Sequence, residues 1–219
     1  MMQTETSVTA DARVSVPRAL KNGSALVALS SVIWGLGCFV RKQFAKGALL
    51  LAAEVGIILY MISSGFHNLS KLITLGDVEQ QKVWNEAKSI FEYVDGDRSL
   101  VILLYGIVTV AVLLCGVLLL RLSVKSAYQA EQLAKTGKPV PGFRDDMTRL
   151  FDRDLHKPLL TLPILGVLVF TVLPLVFMTS MAFTNYSVLD NKLVLFDWVG
   201  LKNFRRMVDL QGSLGQTFW

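Results

Sequence analysis

One acid stands inside an otherwise uncharged stretch of this sequence: Glu54 is the only charge between Lys46 and His67. Counted from Gly47, it lies roughly 10 Å along a helix at 1.5 Å per residue. An ionisable group at that depth in a bilayer costs about 2.5–3.5 kcal/mol unless it is paired. Two kinds of chemistry suit it. It could relay a proton or a substrate, or it could be a polar clasp to a neighbouring helix or to Arg41 or Lys42. A lone acid with no intramembrane partner makes a poor relay, so the clasp is the expected role. His67 and His156 fall in separate polar stretches and are expected to be solvated or interfacial. Cys38 and Cys115 lie in apolar windows and are expected to pack as small apolar residues, with no disulfide or zinc framework. No GxxxxGK[ST], HExxH, GxSxG or paired-cysteine motif occurs. No catalytic residue, metal site or bound cofactor is therefore expected.

The elements around Glu54 are membranous. The chain of 219 residues is 53% hydrophobic with a mean hydropathy of +0.49, and the hydrophobicity is concentrated in blocks. No charge occurs between Lys21 and Arg41, between Arg98 and Arg121, or between Lys157 and Asp190. Such windows approach or exceed the roughly 20 residues that cross a hydrocarbon core, and they lack the polar face of a soluble core helix. The expected fold is an all-α integral membrane protein. Three transmembrane helices start at Gly47, Ser99 and Pro158, and residues 23–40 supply a re-entrant or fourth membrane helix. Residues 1–22 read as a disordered tail. Residues 23–157 read as an N-terminal membrane extension, and residues 158–219 as a separate region. Short amphipathic helices are expected in the loops. Helical periodicity marks "VEQQKVWNEAKSIFEYV" in the loop 67–98, and "SVKSAYQAEQLAK" in the loop 121–157 ends at Gly137 and Pro139.

Charge orients these elements. The loop 121–157 holds eight basic residues, while 67–98 holds four against six acids. Basic loops stay cytoplasmic, so 41–46 and 121–157 are expected inside and 67–98 outside. If 23–40 crossed the membrane, the basic residues would split evenly, 11 to 11; if it dips in and returns, the split is 14 to 8. The Gly-Leu-Gly sequence at 35–37 also suits a bend at membrane depth. The formal charge of +5 therefore reflects topology rather than nucleic-acid binding.

The last span is unusual in carrying Pro163 and Pro174 and in ending on Phe183-Thr184-Asn185-Tyr186. Pro163 sits near its start, where a missing N–H matters little; Pro174 in mid-helix should kink it. The stretch "LLTLPILGVLVFTVLPLVFMTSMAFTNYS" followed by "FDWVGLKNFRRMV" resembles the first core span of permease subunits of carbohydrate ABC importers, the maltose-permease (MalF-like) family. The pattern there is an apolar "LLPxLxxxxxFxxxPLxxxxxxSFTNY" and then "FVGLxNFxxLL". The matching residues are Pro163, Pro174, Leu175, Phe183, Thr184, Asn185, Tyr186, Val199, Gly200, Leu201, Asn203 and Phe204; Ala182 replaces the usual Ser. Upstream, "IWGLGCFVRKQFAKGALLLAAE" is similar, more loosely, to an N-terminal element of Gram-positive members.

The resemblance implies a bacterial plasma-membrane permease subunit that takes up a sugar or oligosaccharide. It would work with a second permease subunit, a separate ATP-binding subunit that holds the ATP, an extracytoplasmic sugar-binding protein and the membrane lipid. It implies a structural role for the motif residues and a short amphipathic helix at 199–208. It also implies a cytoplasmic "EAA…G" loop and further spans. Nothing in the sequence matches that loop, and the expectation is an N-terminal part of a longer permease whose substrate-binding residues lie elsewhere. Two other readings stand beside it: a small multi-span scaffold or assembly protein, and a membrane enzyme using Glu54 as an acid.

Overall fold

The structure is a computed structural model that describes residues 15–86, 88–137, 140, 142–148, 151–152, 155–187 and 192–208. Its helices are α1 (Val16–Asn22), α2 (Ala25–Leu29), α3 (Leu36–Val40), α4 (Phe44–Tyr60), α5 (Phe66–Thr74), α6 (Ser99–Lys135), α7 (Phe143–Thr148), α8 (His156–Val167), α9 (Leu173–Met181) and α10 (Lys202–Val208). Strands β1 (Gln81–Asn85) and β2 (Ile90–Val94) pair antiparallel between α5 and α6.

Among the described residues, three helical stretches are long and apolar enough to cross a membrane: Phe44–Thr74, Ser99–Lys135 and Leu159–Met181. The first is α4 and α5 joined through a wider π-type turn at Met61–Gly65. It ends where Leu75 turns left-handed at φ 61° and its N–H donates to Lys71 O. The helix thus runs on past His67, well into the stretch read as loop. The second is a single helix of 37 residues, about 55 Å at 1.5 Å per residue. The separate helix expected for "SVKSAYQAEQLAK" is its continuation. Nothing between Leu120 and Lys125 breaks it, because that stretch holds neither Gly nor Pro.

The third stretch departs from the expected pattern at its prolines. Pro163 is the eighth residue of α8, well inside it, because the helix already begins at His156. Pro158 takes the place near the start, where a missing N–H is harmless. Ahead of Pro174 the helix widens into a π-type turn over Leu168–Val172, and the N–H of Leu173 donates to Leu168 O. A proline ring collides with the carbonyl four residues back, and a wider turn relieves that collision.

Two further expectations are corrected. Residues 81–94 form a hairpin, not a helix: Trp84 faces Phe91 across the pair, with ring centroids 4.8 Å apart. Both strands are rich in Val, Ile and aromatic residues, the types that favour a pleated strand, and Ser89 takes a positive φ of 50° in the turn. Of the tail 1–22, residues 16–22 form α1, whose Ala19 is fully buried against Val27, Val124 and Ala127. Residues 1–14 lie outside the described residues.

The chain divides into two compact units. One comprises residues 1–61 and 112–162, the other 62–111 and 163–219. Each has its own buried cluster. In the first, Ala19, Val27, Val124 and Ala127 pack with Val16, Leu120 and Tyr128. In the second, Leu75, Leu103 and Phe196 pack with Leu72, Phe177 and Met181 among others.

Candidate functional site

In the second unit the two halves of the sequence motif close on one another. Past the end of α9, Thr184 pairs with Trp198 in an antiparallel bridge. The N–H groups of Val199 and Gly200 both donate to Phe183 O, at 2.8 and 3.1 Å. Gly200 adopts φ 58°, a left-handed conformation that glycine takes without strain. This tight turn delays the start of α10 to Lys202, three residues later than expected. Asn203 then reaches back, and its Nδ2 donates to Ala182 O at 2.9 Å and to Thr184 O at 2.7 Å. Carbonyls beyond a helix end have no intrahelical donor, and Asn203 supplies one from 21 residues downstream of Ala182 and 19 of Thr184. Phe183 and Phe204 meet with ring centroids 5.3 Å apart. Asn185 and Asp197 exchange two bonds, Asn185 N to Asp197 O at 3.0 Å and Asp197 N to Asn185 Oδ1 at 2.6 Å. Tyr186 stands edge-on to Phe196 at 5.6 Å.

This collar also grips two other helix ends. Ser99, buried at the start of α6, accepts from Phe196 N at 3.0 Å and donates to Phe196 O at 3.2 Å. Trp198 Nε1 donates to Leu72 O of α5 at 2.9 Å. Nearby, Asp97 accepts from Lys71 Nζ at 2.6 Å and from the N–H groups of Asp77 and Val78. The lysine holds the Asp97 carboxyl below its ordinary value of 3.8, with the Asp77 N–H reinforcing it. Beside the collar a cleft of about 370 Å³ opens, with Gln80, Asp95 and Arg98 on its wall.

The motif residues therefore divide by role. Phe183, Thr184, Asn185, Tyr186, Gly200, Asn203 and Phe204 come together in the collar. Leu201 is exposed just before α10, while Pro163 and Pro174 are exposed on the span and take no part in it. Ser99, Trp198 and Asp97 were missed by the sequence reading. The only signal for Ser99 was its place at the boundary between a polar loop and an apolar window.

Glu54 belongs to the first unit. Its Oε2 accepts from the backbone N–H of Trp34 at 2.8 Å. Its partner is thus the peptide of the segment joining α2 to α3, and neither Arg41 nor Lys42. Arg41 turns instead to Glu131 of α6, with Nη2 3.8 Å from Oε2. That same oxygen accepts from Ser24 N at 3.0 Å and Ser24 Oγ at 2.8 Å, while Lys135 Nζ lies 2.5 Å from Oε1. Glu131 is 2% exposed, and this buried carboxylate was not singled out from the sequence. A signal existed: Val124, Ala127 and Glu131 recur at helical spacing, which puts the acid on an apolar face.

No family model matches the chain, and no protein of solved structure matches it. Curated relatives do. It is 32% identical over 187 residues to the maltodextrin transport system permease protein MalC of Streptococcus pneumoniae, covering 84% of this chain and 39% of that protein. The chain is a relative of oligosaccharide-transport permeases. The maltodextrin transport system permease protein MdxF of Bacillus subtilis is 31% identical over 194 residues, 87% of this chain and 40% of the relative. The galactooligosaccharides transport system permease protein GanP of the same organism is 27% identical over 178 residues, 80% and 39%. The chain thus spans about two fifths of the length of the curated relatives it matches. With these relatives and three membrane-capable helices, it is a multi-pass protein of the bacterial plasma membrane.

Proposed function

We propose that the chain is part of the permease of an ATP-driven sugar importer and helps to form the translocation pathway for a sugar or oligosaccharide. The observation that carries this reading is the collar. Two motifs that resemble those of carbohydrate permeases meet there through Asn203 and Phe183. Relatives named as permeases of maltodextrin and galactooligosaccharide transport systems support it. The collar would hold three helix ends in register on the side from which substrate arrives.

In this reading the chain binds no nucleotide. ATP would be held by a separate ATP-binding subunit. A second permease subunit would complete the pathway, and an extracytoplasmic sugar-binding protein would deliver substrate to the membrane. The chain's own part is to span the lipid and to position helices, with no catalytic residue.

The test is genetic. Deleting the gene should abolish uptake of radiolabelled maltodextrins or galactooligosaccharides, and uptake of a monosaccharide such as glucose should persist. Plasmid-borne restoration of the full-length protein should return it. Unchanged uptake of every oligosaccharide tried, in a strain that transports them, would refute the proposal.

A further inference from the structure

We propose that residues 24–43 form a re-entrant hairpin that enters and leaves the membrane at its cytoplasmic face, with both ends pinned to Glu131 of α6. The segment touches α6 at successive points on its way in and on its way back. Ser24, before α2, bonds to Glu131. Ser30, after α2, offers its carbonyl to Ser123 Oγ at 3.0 Å, and Gly35 N donates to the same oxygen at 2.9 Å. Trp34, between them, lies beside Gly116. The chain then returns: Gly37 packs against Ala127 so closely that an added Cβ would stand 2.5 Å from the alanine Cβ. Arg41, after α3, donates to Ala127 O at 3.3 Å and pairs with Glu131. The contacts along α6 therefore run from residue 131 to 123, reach 116 at the tip, and come back to 127 and 131.

That path cannot be a crossing. Helices α2 and α3 have five residues each, about 7.5 Å apiece, far short of the roughly 30 Å of a hydrocarbon core. The tip lies at the level of 116–123 on α6, where the charge-free window 99–120 begins, whereas both ends lie among charged residues. Irregular backbone at membrane depth is tolerated only where protein satisfies its polar groups. The tip meets that condition group by group. Trp34 N donates to Glu54, Gly35 N donates to Ser123 Oγ, and Gly37 N donates to Ser30 Oγ at 2.9 Å. Such internal pairing would be superfluous in water. The intramembrane acid Glu54 thus acts as a receptor for the hairpin tip. The side follows from the eight basic residues of 121–157, which continue from the end of α6 that carries Glu131.

The experiment uses the full-length protein in membrane vesicles. Lys21→Cys, before the hairpin, and Lys42→Cys, at its returning end, are each exposed to a membrane-impermeant maleimide in right-side-out and inside-out vesicles, with the unsubstituted protein as blank. Both should label in inside-out vesicles alone. Labelling of the two from opposite faces would mean that the segment crosses, and labelling of both from the outside would reverse its entry; either overturns the proposal. The pinning is read separately. Glu131→Ala should speed tryptic cleavage at Arg41 and Lys42 in inside-out vesicles by about tenfold, because cleavage tracks the open population. Should that variant fail to accumulate, Ser24→Ala should speed cleavage about threefold by the same relation. An unchanged rate in the variant tested would show that Glu131 is not the anchor.

Discussion

In the collar, Ser99 at the start of α6 trades two neutral hydrogen bonds with the backbone of Phe196, and Asn203 adds two more to Ala182 and Thr184. In the clasp, near the other end of α6, one carboxylate gathers Ser24, Arg41 and Lys135. Both devices tie non-helical chain to helix ends, but they distribute the work differently. The collar spreads it over many neutral bonds, each worth about 0.5–1.5 kcal/mol net, and over ring contacts. The clasp concentrates it on a single buried charge, whose removal strands the groups around it. The difference teaches that the collar should weaken by degrees and the clasp should fail at one residue.

The sharpest way to break this contrast is Glu131→Ala. It leaves Arg41, 12% exposed, without its anion, and breaking a buried pair from one side costs about 3 kcal/mol or more. The variant should lose more thermal stability in detergent than any single collar substitution. A smaller loss than that of Asn203→Ala would dissolve the contrast. Asn203→Ala itself removes two bonds, so a loss of about 1–3 kcal/mol is expected. Differential scanning fluorimetry of the purified full-length protein would rank the two.

Acid sharpens the comparison further. The Asp97 carboxyl is held below 3.8 by Lys71. A depressed carboxylate contributes stability that is full above its unfolded pKa and is lost as pH falls through the folded one. Protection of the amides of 77–98 against hydrogen exchange should therefore be steady above about pH 4 and drop below it. Lys71→Met should move that drop upward. A pH-independent profile would remove the ion pair from the account. The smallest effect is expected for Glu54→Gln, because an amide oxygen still accepts from Trp34 N. Oligosaccharide uptake at normal protein levels should be essentially unchanged, and its complete loss would make Glu54 a functional acid.

How much of this was legible in the sequence follows the same division. The collar was legible as a pair of motifs, since Gly200, Asn203 and the aromatic run match the carbohydrate-permease pattern in type and order. That the motifs touch each other could not be read, because no local rule brings residue 203 back to 182. Membrane helices were legible from charge-free windows, yet their ends were not. Hydropathy falls at His67 and Arg121, while backbone hydrogen bonding carries the helices on to Thr74 and Lys135. The hairpin at 81–94 was read as helix because apolar residues at mixed spacing satisfy both periods in a short window. The clasp was the least legible part. Glu131 looks like an ordinary surface acid paired with Lys135 four residues on, and only the fold shows Ser24 and Arg41 converging on it.

The central claim is that this chain belongs to the permease of a sugar importer, and one measurement addresses it directly. Proteoliposomes would carry the full-length protein with the second permease subunit and the ATP-binding subunit. Maltodextrin or galactooligosaccharide and the sugar-binding protein would be supplied outside, and ATP inside. The account predicts ATP-dependent accumulation of the oligosaccharide that disappears when this protein is omitted. Equal accumulation without it, or none with every component present and the ATPase active, would contradict the account.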